Sequence, residues 1–250
     1  MSGHSKWSTI KHKKARMDAA RGKVFTKLIK EITVAARTGG GDEDMNPRLR
    51  TAVQAAKAAN MPADNIKRAI QKGTGDMAGV EYLEITYEGY GPGGVAILLD
   101  TVTDNKNRTA ASVRHAFNKY NGKLAEPGAV AWMFETKGVI EIAKEGEVEE
   151  EPLMMTALEA GAQDLTDEGD SFRILSALEA FSAVQRALQD KYRFLSVGIE
   201  KLPQNTVAVS EKDAPSLLKL MEMLEDLDDT QKLTANFDID DEILERLGND

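Results

Sequence analysis

The chain has 250 residues, 42% hydrophobic and 29% charged, with no cysteine and a formal net charge of −9. Such a composition supplies a core and excludes a disordered chain. The lack of cysteine excludes a disulfide framework, a thiol nucleophile, an iron–sulfur cluster and Cys-ligated zinc.

The longest aliphatic run, residues 95–99, is far too short to span a bilayer. Nothing at the N-terminus joins a positive segment to an apolar stretch and a cleavage site, so a cytoplasmic setting is expected. The net charge conceals an asymmetry. Residues 1–76 hold 16 Lys/Arg against 7 Asp/Glu, and the remainder holds 16 against 34. Residues 1–41 alone hold ten basic and two acidic side chains. A cationic head on an acidic body points to a polyanion met head first. A merely solvated helix face would carry more acids for intrahelical pairing.

In chain order, residues 1–21 read as a polar, basic arm that orders on binding, with isolated Trp7 and Ile10. A helix is predicted from Gly22, with Phe25, Leu28, Ile29, Ile32 and Ala36 on one stripe and Lys23, Lys27, Lys30 and Arg37 opposite. Gly39-Gly40-Gly41 ends it. Asn46-Pro47 opens a second helix as N-cap and first residue, burying Leu49, Ala52, Val53 and Ala56. Pro62 opens a third, carrying Ile66, Ala69 and Ile70 and stopped by Gly73.

The period then changes to that of strands at 80–88 and 95–103, joined by the turn 89–94. A helix over 109–120 buries Ala110, Val113 and Phe117, and residues 129–135 read as a further strand with Trp132 in the core. Next come strand 138–143, helix 150–160, strands 162–166 and 171–175, a helix opened by the capping box 176–179, and strand 194–201. The order β-α-β-β-α-β is that of a ferredoxin-like split βαβ. Strand 206–209, helix 213–227 and strand 232–237 complete the domain begun at residue 80, into which the split βαβ is inserted. The fold class is therefore α+β and multidomain. A three-helix domain with its arm spans 1–77, a discontinuous α+β domain 78–135 and 204–238, an inserted ferredoxin-like domain 136–203, and a C-terminal tail 239–250.

The chain offers little for catalysis. Gly89-x-Gly91-x-x-Gly94 matches a dinucleotide fingerprint but precedes a strand rather than a helix, so the glycines build a hairpin. No P-loop is present, and no G-x-S-x-G elbow. His4, His12 and His115 stand in no zinc-binding arrangement. Asp226, Asp228 and Asp229 read as an acidic helix end. No enzyme, cofactor, metal site or small-molecule substrate is therefore expected.

Binding signals are positive. In the arm, Lys6, Lys11, His12, Lys13, Lys14, Arg16 and Arg21 surround Trp7. The cations suit phosphates, and the indole suits either base stacking or a hydrophobic anchor. Lys23, Lys27 and Lys30 extend the set along the first helix. On the helix after residue 105, Arg108, Ser112, His115 and Lys119 share a polar face. Arg108, Arg114 and His115 read as contacts, while Lys119 and a helix cap at Asn107 suit ordinary solvation.

Gly3-His-Ser-Lys-Trp7, Ile10-Lys-His-Lys-Lys14, Arg21-Gly-Lys-Val-Phe-Thr-Lys-Leu-Ile29 and Asn46-Pro-Arg-Leu-Arg50 resemble the N-terminal signature of the YebC family. Lys57-Ala-Ala-Asn-Met-Pro62, Tyr87-Glu-Gly-Tyr-Gly-Pro-Gly-Gly94, Thr103-Asp-Asn-Lys-Asn-Arg-Thr109, Val113-Arg-His-Ala-Phe117 and Val130-Ala-Trp-Met-Phe134 continue it. The resemblance covers nearly the whole chain. It implies a helical bundle and two α+β domains, one inserted in the other. The family carries the label of probable transcriptional regulator. It includes a mitochondrial translational activator of cytochrome c oxidase and bacterial members associated with relief of ribosome stalling. The favoured expectation is a translation factor that binds ribosomal RNA. The alternative is a DNA-binding transcriptional regulator, and a remote third is an Mg²⁺-dependent nuclease. No membrane partner is expected.

Overall fold

A computed structural model describes residues 17–144 and 148–248. Its first elements are α1 (Met17–Gly39), α2 (Pro47–Ala58), α3 (Ala63–Thr74), β1 (Leu83–Tyr90), β2 (Ala96–Thr103), α4 (Lys106–Lys119) and β3 (Lys123–Ala125). Then come β4 (Phe134–Ala143), α5 (Glu150–Glu159), β5 (Ala162–Asp167), β6 (Ser171–Ser176), α6 (Leu178–Leu188) and β7 (Phe194–Pro203). The chain closes with β8 (Val207–Ala208), α7 (Ala214–Glu225), β9 (Thr230–Ala235), β10 (Phe237–Asp238) and α8 (Asp241–Gly248). Two compact units result, residues 133–204 and the remainder of the described chain, so the fold is multidomain α+β.

In the larger unit, α1, α2 and α3 bury Ile32, Ala35, Ala36, Leu49, Val53, Ala56, Ile66 and Ala69 together, with Phe25, Leu28 and Ile29 packed against them. Asn46 is the N-cap of α2 as expected. Its Oδ1 accepts from the Leu49 N–H at 3.1 Å, and its Nδ2 donates to the Ala35 and Gly40 carbonyls at 2.8 Å each. The third helix does not stop at Gly73; it ends at Gly75, whose φ of +85° suits glycine. Gly73 is instead a packing residue inside α3. A Cβ there would stand 2.4 Å from the Thr33 carbonyl oxygen and 2.6 Å from the Ala36 Cβ. Alanine gains about 1 kcal/mol in helix propensity, but the overpacking exceeds it. Gly73→Ala is expected to lose about 1–2 kcal/mol net, read as a lower midpoint in thermal unfolding.

A four-stranded antiparallel sheet in the order β3-β1-β2-β9 follows. Helices α4 and α7 share its core, with Val113, Phe117, Leu217, Leu220, Met221 and Leu224 against Ile97, Leu99, Leu233 and Ala235. Gly91, Gly93 and Gly94 form the hairpin connection between β1 and β2, as their strand context required, while Gly89, expected in the turn, lies in β1 opposite Ile97. β3 carries no sequence signal of its own at three residues. Helix α4 starts earlier than expected, capped by Asn105 rather than Asn107: the Asn105 side chain accepts from the Arg108 N–H at 3.0 Å. The expected tail contains α8, and Ile239 and Leu244 are buried in the same core.

Residues 129–133 are not a strand; Ala131–Met133 is a single 3-10 turn, and β4 begins at Phe134. The cause is the buried Glu88 carboxylate. It accepts from the N–H groups of Gly128 (2.6 Å), Val130 (2.7 Å) and Ala131 (2.9 Å), which bends the backbone away from sheet pairing. Val130 takes the buried position, and Trp132 is 67% exposed rather than in the core.

The unit of residues 133–204 runs β4-α5-β5-β6-α6-β7 with sheet order β5-β6-β4-β7, every neighbour antiparallel. That is the ferredoxin-like arrangement read from the sequence. Its core joins Ile140, Ile142, Phe172 and Ile174 to Leu153, Ala157, Val184 and Leu188 of α5 and α6. Ser176 does not cap α6: it is the last residue of β6 and is buried, and Ala177 occupies the cap without a side-chain bond.

Candidate nucleic-acid interface

The arm residues Lys6, Trp7, Lys11, His12, Lys13, Lys14 and Arg16 lie outside the described residues, and Arg21 falls within α1. The remaining candidates divide into two groups, one on α1 and one on α4.

On α1 the cationic stripe does not face outward as a whole. Lys23, Lys27 and Lys30 meet the C-terminal end of α7, where helix carbonyls lack internal partners and concentrate negative potential. Lys27 Nζ donates to the Glu225 carbonyl at 2.6 Å, and Lys23 Nζ to the Asp226 carbonyl at 3.4 Å. Lys30 Nζ donates to the Asp228 carbonyl at 2.9 Å and to Asp229 Oδ1 at 2.6 Å. Lys30 is 7% exposed. Its expected place in a phosphate-facing stripe is corrected: a buried, paired ammonium has no free donor to offer. The helical period separates the two faces of α1 correctly, but it cannot reveal that the second face also has an internal partner.

Asp229 is the residue that sequence reasoning missed. Its side chain is 8% exposed and gathers Lys30, the Thr109 hydroxyl at 2.6 Å, and Arg108 Nη2 at 3.0 and 3.2 Å. Burial alone would raise its carboxyl, yet the hydrogen bonds from Lys30, Thr109 and Arg108 outweigh it and hold the group below the usual carboxylate range. Arg108 Nη2 also donates to Asp104 Oδ1 at 2.6 Å. Asp229 and Asp104 together raise the guanidinium pKa further. Arg108 is thus the outer edge of a structural polar network, with its side chain still 52% exposed. A pairing of Asp229 with residues 30 and 108 leaves no mark in local sequence.

Along α4, Arg114, His115 and Lys119 are exposed and Ser112 is half-buried, so the polar face read from spacing is present. The Lys119 ammonium lies 5.2 Å from the Tyr120 ring centroid.

Elsewhere a cleft of about 380 Å³ lies between α1, α2 and the sheet, lined by Glu31, Arg48, Glu84, Asp100 and Lys232 among others. Its charges are mutually satisfied. Arg48 donates to Glu31 and Glu84 at 2.7 Å each, which raises its own pKa, and Thr86 donates to Asp100 at 2.6 Å. Among the described residues no group of three His, Asp or Glu is placed to hold a metal ion, and no helix is long and apolar enough to cross a membrane.

Comparison with known proteins gives two family matches. Residues 5–76 match the TACO1/YebC protein N-terminal domain, and residues 82–237 match the TACO1/YebC second and third domain. A probable transcriptional regulatory protein of Syntrophobacter fumaroxidans is 58% identical over 249 residues, covering 99% of this chain and 100% of its own. One of the same description from Thermotoga maritima is 51% identical over 247 residues, covering 99% and 98%. Among solved structures, a conserved hypothetical protein from Aquifex aeolicus matches with a TM-score of 0.82 and 45% identity, over 92% of this chain and 96% of that one.

Proposed function

The chain belongs to the TACO1/YebC family, and from that premise we propose that it is a non-enzymatic, nucleic-acid-binding regulator of gene expression whose main target is ribosomal RNA. One observation carries the reading: residues 1–41 hold ten basic side chains against two acidic ones, on a chain of net charge −9. Of those ten, Lys23, Lys27 and Lys30 serve the protein itself. The binding role therefore falls to Lys6, Lys11, Lys13, Lys14, Arg16 and Arg21, joined by His12, with Trp7 as a stacking group and Arg114 and His115 on α4. Lysine and arginine neutralise phosphates and release counterions without reading base edges. A target abundant in the cell and defined by its shape suits such residues, and unpaired bases in folded RNA suit stacking on an indole. The acidic body is repelled by the same polymer and leaves the head as the leading surface.

A second reading is a DNA-binding transcriptional regulator, favoured by the names of the relatives from Syntrophobacter fumaroxidans and Thermotoga maritima. Against it, the basic residues of the head are mostly lysines, which position a protein on phosphates and give little choice of sequence. Crosslinking in living cells, with sequencing of both the RNA and the DNA recovered, separates the two. Ribosomal RNA is expected to dominate, with crosslinks at discrete positions. Discrete promoter sites without ribosomal enrichment would reverse the ranking.

A further inference from the structure

Residues 105–125 carry Lys106, Arg108, Arg114, Lys119, Lys123 and His115 and not one acidic residue. The chain from residue 77 onward bears about two acids for each base, with 34 Asp/Glu to 16 Lys/Arg in all. Five of those sixteen bases therefore sit in one short stretch that forms α4, the following turn and β3.

Several basic residues of the described chain are held by carboxylates, while others such as Lys67, Lys72 and Lys219 are exposed with no side-chain partner among the described residues. Lys30, Arg48, Lys144 and Arg173 each form an ion pair with a carboxylate, as does Arg108 within the stretch itself. The side chains of Lys106, Arg114, His115 and Lys123 are exposed and have no hydrogen bond or ion pair to any described residue. Lys119 has only the ring of Tyr120. An acidic protein could readily supply compensating carboxylates here, and this one does not.

We propose that the acid-free stretch of α4 and β3 is a second phosphate-backbone contact region for nucleic acid, in which Lys106, Arg114, Lys119 and Lys123, set around the exposed sides of the helix and on the strand that follows, each take a phosphate. The proposal rests on the nucleic-acid reading above and deepens it: Arg108 belongs to the Asp229 network, and Lys106, Lys119 and Lys123 take its place against the phosphates. From Lys106 to Lys119 the helix rises roughly 20 Å, enough to lie along several successive phosphates. The polar residues interleaved with the cations are Asn107 and Asn118, both exposed, whose amides donate to phosphate and sugar oxygens. No large exposed apolar side chain occurs on α4 or β3, so the region lacks what an anionic membrane surface would also require.

The test uses the full chain and poly(U) RNA, with affinity measured across salt concentrations. Converting Lys106, Arg114, Lys119 and Lys123 together to Gln is expected to reduce the slope of log affinity against log salt by about 2–3 units, near 0.7 for each single-strand phosphate no longer neutralised. Thermal unfolding of the variant should match the parent, since none of the four side chains is buried. The single changes Arg114→Gln and Lys123→Gln give the same information piecewise if the quadruple variant folds poorly. An unchanged slope in a folded variant overturns the contact region. Parallel binding to phosphatidylserine vesicles that is abolished in the variant, with RNA binding intact, overturns it in favour of a lipid surface. A parent protein that binds neither poly(U) nor duplex DNA at low salt instead defeats the proposed function itself.

Discussion

Replacing Asp229 with Ala is expected to cost about 3–5 kcal/mol of folding stability, the largest loss of any single polar substitution here. The reason lies in what is left behind. Lys30 keeps its ammonium within a side chain only 8% exposed, with the Asp228 carbonyl as its sole remaining partner among the described residues. Thr109 loses the acceptor 2.6 Å from its hydroxyl. A buried charge stripped of its counter-ion is far costlier than the pair was favourable. Arg108→Ala is different, because that side chain is 52% exposed and solvent screens its ion pairs; about 1 kcal/mol or less is expected. Acid should act like a mild form of the Asp229 change. The Asp229 carboxyl is held below its ordinary value in the folded protein, so its contribution is complete above the unfolded value of about 4 and is lost as pH falls through the lower folded value. Urea unfolding followed by circular dichroism at neutral pH, and again below about pH 4, checks both statements. An Asp229→Ala variant of parental stability would mean that water replaces the carboxylate and that the network does not hold α1 to the sheet.

What the sequence disclosed, and what it hid, follows from the range of each interaction. The Asn46 cap, the stop of α1 at its glycine run, and the hairpin glycines of residues 91–94 are local devices, settled by neighbours within a few positions. The ferredoxin-like order is legible because each of its six elements carries its own period and turn chemistry. Misreadings arise wherever a distant partner intervenes. Trp132 sits in an apolar tetrapeptide and reads as core. Glu88, more than forty positions earlier, ties down the Gly128, Val130 and Ala131 amides and converts that strand into a turn with the indole outside. Ser176-Ala177-Leu178-Glu179 has the letters of a capping box, but pairing of Ser176 with Gly138 keeps the serine in the sheet. The lysines of α1 show the same limit in the candidate site. Their spacing defines a charged face, and only the approach of residues 225–229, some two hundred positions away, decides that this face holds the protein together.

That division of labour among the ten basic residues of the head leads to the strongest functional prediction. Lys23, Lys27 and Lys30 are engaged at the end of α7, and Arg37 donates to the Val80 and Tyr82 carbonyls. The other six bases of the head stand at positions 6, 11, 13, 14, 16 and 21. Substituting Lys11, Lys13 and Lys14 together by Ala is expected to lower the salt slope of RNA binding by about 2 units, and that of duplex binding by nearer 3, since each phosphate no longer neutralised counts about 0.7 and 0.9 respectively. Slope changes on the two polymers that correspond to the same number of phosphates would identify the arm as a phosphate binder. Unchanged slopes on both would remove it from the interface. The arm and α4 variants can also be combined. Slope changes that add would place the two sets of cations on separate stretches of backbone. A combined change no larger than either alone would mean that removing one set already prevents the other from engaging.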